Sequence, residues 1–239
     1  MVATLPDTAA YRHDQGFFLT LSAALAGFTI LAFVQWAARG MVAPLTLPWW
    51  IHAHGAAMAT WLVLLVVQNY LILSRRHDLH RPLGWIGAGL VAVIAVLGLM
   101  TGVQSVALHR VPPFWTDAFL LALATVSVAV FVSLVATGVA LRRKTEWHRR
   151  LMIGATIVLL TAAFDRLLPP PLLGAARPFS EGGLQLVVVG ILAVHDWRLR
   201  GRVHPATLWI AGAVAIEHLA IATLAAFPPF IALAGRISS

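Results

Sequence analysis

Long apolar stretches alternate with short polar segments rich in proline and arginine along the whole chain. Seven stretches stand out, at about 16–37, 49–74, 81–106, 114–141, 148–168, 181–197 and 205–227. A bilayer core takes about 20 helical residues per crossing, and the seven runs use up most of the sequence. The pattern predicts an all-α fold: an integral membrane bundle of seven transmembrane helices in a single domain over residues 1–239. The first stretch is too long for a signal-peptide core and no small-residue cleavage site follows it, so it reads as a retained helix. The longest irregular segment, PPPLLGAARPFSEGG, separates the fifth and sixth stretches, and Pro228-Pro229 closes the seventh, since proline cannot continue a helix.

The second stretch, WWIHAHGAAMATWLVLLVVQNYLILS, breaks the apolar pattern from within. Residues seven apart lie on nearly one line of a helix, so His54, Trp61 and Gln68 form a stripe about 21 Å long. Polar groups at hydrocarbon depth face protein, water or ligand rather than lipid. The stripe is therefore the expected inward face.

Composition sharpens the class. The chain is 60% hydrophobic and 11% charged, with mean hydropathy +0.85, against about 25% charged residues in a soluble domain. It belongs in a lipid bilayer. The net charge of +8 points to loop bias rather than to nucleic acid. With the N-terminus inside, twelve of the 17 Lys and Arg residues fall on inner segments and five on outer ones. That asymmetry places the N-terminus inside and the C-terminus outside. Tryptophan agrees: Trp36, Trp49, Trp50 and Trp115 fall at the outer boundary and Trp85, Trp147, Trp197 and Trp209 at the inner one, with Trp61 alone deep. Cysteine is absent, which excludes disulfides, thiolate metal ligands and cysteine-held iron–sulfur clusters.

Helix rise also gives depth. His54, Asp165, Glu217 and His218 share a level in the outer half, with His52 slightly higher and Arg166 near the outer boundary. Ionisable groups inside a membrane are costly and mark function. Imidazole and carboxylate together suit iron, copper or zinc, so these residues are the outer candidate site. Three further histidines, His80, His148 and His204, each follow a basic turn (RRHDLHRPL, RRKTEWHRRL, RLRGRVHPATL). They are expected either to cap helix starts or to hold a metal or haem b. For haem b, His54 with His218 is one axial pair and His80 with His148 another. Gly84, Gly87 and Gly154 would make room at the second, and Arg81 and Arg149 would meet propionates. A metal-free alternative is an intramembrane enzyme acting on a lipid or isoprenoid, with Asp165 or Glu217 as general acid. A bland alternative pairs Asp165 or Glu217 with Arg166, and another makes the chain an accessory subunit of a membrane complex.

The run HAHGAAMATWLVLLVVQNYLILSRRHDLHRPLGW, then EWHRRLMIGATIVLLTAAFDRLL, then Asp196 and RVHPA, resembles a bacterial family of multi-span membrane proteins. His54, Trp61, Gln68, His80, Gly84, His148, Asp165, Arg166, Asp196 and His204 match that family's pattern. A looser similarity links the chain to the di-haem membrane cytochromes b. The resemblance implies a multi-pass protein of the bacterial inner membrane; the expected partners are the lipid bilayer and either further copies of the chain or a membrane complex. It leaves the reaction open.

Overall fold

A computed structural model describes residues 9–112, 115–168 and 177–239. It is all-helical, with no strand among the described residues. The long helices are α1 (Ala9–Ala38), α2 (Trp49–Leu73), α3 (His77–Ala107) and α4 (Asp117–Ala140). They are followed by α5 (Thr145–Val158), α6 (Thr161–Leu167), α7 (Arg177–Arg200), α8 (Pro205–Ala226) and α9 (Pro228–Ser238). Five segments are long and apolar enough to cross a membrane: Tyr11–Ala38, α2, α3, α4 and α8.

The expected elements and the observed ones differ in places. The fifth stretch is not one helix. It breaks between α5 and α6, and the break is held from α7: the Gln185 side-chain amide donates to the Val158 carbonyl at 3.1 Å and to Thr161 Oγ1 at 3.0 Å. A carbonyl that would otherwise be orphaned inside the bundle is thus satisfied. The sixth stretch is longer than expected, a full 24 residues. The fourth begins at Asp117, where the Thr116 side chain accepts from the Phe119 amide at 3.0 Å as an N-cap; the expected start at Phe114 lies outside the described residues. So does most of the proline-rich segment, residues 169–176. Pro228-Pro229 does end the seventh stretch, but the two prolines also open α9, as proline favours the first helical turn. Ala234 of α9 packs on Ala118 and Leu121 of α4.

Phe18, Trp61, Ile94, Phe131, Leu151, Ile157, Leu192 and Ile210 lie in one central core. The bundle's exterior is also apolar: Leu31, Val96, Ile216 and Leu219 are each at least 60% exposed. So large an apolar exterior is stable in lipid and a liability in water. Small residues bring the helices close. A Cβ on Gly102 of α3 would lie 2.5 Å from the Ala124 Cβ of α4, and one on Gly154 of α5 would lie 2.5 Å from Ile210 of α8. The Gly98–Gly102 spacing is a packing seam, with Gly98 against Val128 and His54.

Three turns, residues 74–76, 141–144 and 201–204, meet at one end of the bundle. This basic end carries most of the arginines.

Candidate functional site

The stripe on α2 does face inward. Trp61 is buried and donates from Nε1 to Thr156 Oγ1 of α5 at 3.1 Å. One further heptad toward the basic end, Gln68 Nε2 donates to the His80 carbonyl at 3.2 Å. His54 is half-buried against Gly98.

Gln68 leads to a pair of histidines. The rings of His80 (α3) and His148 (α5) have centroids 6.4 Å apart and planes at 88°. His148 donates from Nδ1 to the Gly138 carbonyl of α4 at 2.8 Å, which fixes its ring and leaves Nε2 as a lone-pair nitrogen. His80 Nδ1 and Gln68 Oε1 are buried and have no hydrogen-bond partner among the described residues. Buried polar atoms of this kind are rare and call for a ligand, ion or water. Gly84 lies beside the Gln68 amide, with 3.7 Å left for a Cβ.

The third histidine of the expected set does not join them. His204 is the N-cap of α8: its Nδ1 accepts from the Ala206 amide at 3.1 Å, and its ring lies edge-on to Trp147. Burial first, then the Arg150 and Arg200 guanidinium groups, push the His204 imidazole down from its ordinary value. A neutral ring is what an accepting cap needs. Two other expectations also change. Gly87 packs on Leu64 and Gly154 on Ile210, so neither opens space at the histidine pair. Arg149 is engaged elsewhere, as follows.

Beside the pair lies an ion network that the charge count alone treats as loop charge. Arg149 meets Asp14 of α1 at 2.6 Å and Glu146 at 2.7 Å. Arg150, fully buried, meets Glu146 at 2.6 Å and Asp196 of α7 bidentately. Arg200 pairs with Glu146 as well. Asp196 also accepts from Thr207 Oγ1 at 2.5 Å and from the His204 amide at 3.2 Å. Phe18 lies under both guanidinium groups, 4.2 Å from Arg149 and 5.4 Å from Arg150. Desolvation raises the Glu146 carboxyl, but Arg149, Arg200 and Arg150 outweigh it and hold it at about 2. His195 is not paired with its neighbour Asp196; it donates from Nε2 to Asp14 at 2.9 Å. The network locks α1, α5, α7 and α8 together at the basic end.

The outer candidates do not gather at one point. His52 is exposed. Glu217, fully buried, accepts from Ser127 Oγ of α4 at 2.6 Å, and its Oε2 has no partner among the described residues. His218, the next residue, turns to α7 and donates from Nε2 to Gln185 Oε1 at 2.8 Å. Gly182 faces that ring, where a Cβ would come within 2.8 Å of it. Asp165 is buried in α6. Arg166 donates to the Ala162 carbonyl at 2.6 Å and sits 4.0 Å from the Phe33 ring; Glu217 is paired with Ser127 and not with it. Among the described residues no three His, Asp or Glu side chains converge closely enough to hold one metal ion. As the structure places them, His52, His54, Asp165, Glu217 and His218 form no such group. Successive residues on a helix point about 100° apart, so equal depth does not make a common focus.

Comparison of the chain with family models, curated proteins and solved structures gives no match.

Proposed function

We propose that the protein is a redox-active, haem-binding protein of the bacterial inner membrane, crossing it seven times with the N-terminus and basic end inside. The observation that carries this reading is the His80–His148 pair. Two imidazoles brought together from separate helices would be able to hold one iron between them. Their ring centroids lie 6.4 Å apart. Two protein ligands would suit haem b better than a bare iron, copper or zinc ion. The Gly138 carbonyl would orient His148, and His80, whose Nδ1 has no partner among the described residues, would supply the second nitrogen. Bound haem would supply one-electron transfer.

The test is an ultraviolet–visible spectrum with iron analysis of protein purified from haem-replete cells. A Soret band at one haem per chain is expected. His80→Ala and His148→Ala should each lose it while His54→Ala and His218→Ala keep it. Purified wild-type protein without a Soret band or iron, yet monodisperse and helical, overturns the reading. Sidedness has its own check, because the chain has no cysteine. A single reporter at Arg143→Cys should be shielded from an impermeant thiol reagent in intact cells and one at Arg110→Cys labelled.

A second reading has one observation in its favour. Glu217 is a buried carboxyl with one oxygen held by Ser127 and the other without a partner. That arrangement supports an intramembrane general acid acting on a lipid or isoprenoid. Glu217→Gln would abolish such turnover and leave the haem spectrum unchanged.

A further inference from the structure

A groove of about 570 Å³ opens sideways at the basic end between α1 and α7, apart from both the histidine pair and the outer candidates. Its volume is that of a single-ligand site, which runs from about 300 to 1,000 Å³. One long wall is a stripe of α7: Val187, Gly190, Val194 and Arg198. These residues are three or four apart and so share a face over about 16 Å. Its lower part is apolar and exposed, with Val187 62% and Val194 47% accessible. Gly190 notches the wall, since a Cβ there would meet nothing within 4 Å. The head of the groove is polar. His195 stacks flat on Phe17 at 3.6 Å and 4°, and His13 lies 6.2 Å beyond it. Arg198 is exposed and makes no ion pair among the described residues. Among the described residues the nearby carboxylate, Asp14, is already taken by Arg149 and His195.

We infer that this groove binds one anionic phospholipid. Its acyl chain would lie along Val194, Gly190 and Val187, and its phosphate would meet Arg198 and His13 at the head. Charge complementarity and shape point the same way: an apolar slot is topped by the Arg198 guanidinium with the His13 imidazole beside it. Basic pockets between membrane helices select anionic headgroups in this way. A neutral isoprenoid quinone would use the same slot and gain nothing from Arg198.

The experiment is competitive lipid retention. Full-length protein is reconstituted in equimolar phosphatidylglycerol and phosphatidylcholine, extracted in mild detergent, and its bound lipid weighed by native mass spectrometry. Phosphatidylglycerol should be enriched about fivefold, the share of one cation beside an anionic headgroup. Arg198→Gln with His13→Gln should bring the ratio to one, and Gly190→Leu should displace both lipids. Equal retention in the wild type overturns the inference. So does enrichment that survives both variants, which would place the lipid elsewhere on the basic end. Retention of a neutral quinone that depends on Gly190 and is indifferent to Arg198 would also overturn it. Gly190 and Arg198 face outward and take no part in the ion network, so a loss of retention with an unchanged helical spectrum is not a folding failure.

Discussion

Arg150 offers the sharpest test of the basic-end architecture. Its side chain and that of Asp196 are both fully buried, with Nε reaching Asp196 at 3.0 and 3.3 Å and Nη1 reaching the Glu146 carbonyl at 3.0 Å. Arg150→Met keeps most of the volume and removes the charge. Breaking one side of a buried pair costs about 3–5 kcal/mol, because the remaining ion stays desolvated without its partner. Asp196 would retain Thr207 and the His204 amide as donors, which puts the expected loss near the lower end, about 3 kcal/mol. Asp196→Leu alone should cost a similar amount by stranding Arg150. The double variant removes both ions. It should lose only about 1 kcal/mol, for the cap and hydroxyl contacts that Asp196 no longer accepts. The assay is reversible denaturant unfolding in micelles of fixed composition, followed by tryptophan fluorescence, with the two singles and the double closing a mutant cycle. A large favourable coupling is expected. If Arg150→Met falls within about 0.5 kcal/mol of wild type, or the double loses the sum of the singles, the ions are solvated and the buried network is wrong.

Two further predictions rest on neighbouring contacts. Glu146 is held at about 2 in the folded protein against 4.5 ordinarily. Its contribution is therefore complete above about pH 4.5 and disappears as pH falls toward 2, since the unfolded chain takes up the proton first. Unfolding midpoints should drop across that window, and Glu146→Gln should flatten the slope; an unchanged acid slope in that variant refutes the assignment. The half-exposed position of Glu146 keeps the effect well below that of Arg150. At the α5–α8 seam, Gly154→Ala brings a methyl to 2.5, 2.8 and 3.0 Å from three atoms of Ile210. Overpacking of this kind costs about 1–3 kcal/mol. Shortening the neighbour with Ile210→Val in the same chain should return part of the loss in thermal unfolding, and a neutral Gly154→Ala would show that the helices sit further apart.

The helices were legible in the sequence to within a turn at most ends. The inward stripe of His54, Trp61 and Gln68 was legible too, because depth and face follow from rise and rotation along one helix. Other features depended on residues far away in the chain. Nothing in TIVLLTAAF marks the α5–α6 break, since neither proline nor glycine is present; it is held by Gln185 from α7. Arg149 and Arg150 read as loop charges that orient the protein, and only packing shows them buried against Asp14 and Asp196. The hint available was the pairing of acids with these arginines at one level: Asp14, Glu146 and Asp196 all fall near the basic turns.

The sequence by itself determined the apolar, helical character of the chain and which residues of one helix share a face, since these follow from composition and a fixed rise and rotation per residue. Only the tertiary structure decided which polar groups meet. Glu217 and His218 are adjacent in the chain, yet one reaches α4 and the other α7, while His80 and His148, on separate helices, share one spot. Depth is a property of one helix; direction is set by the neighbours against which it packs.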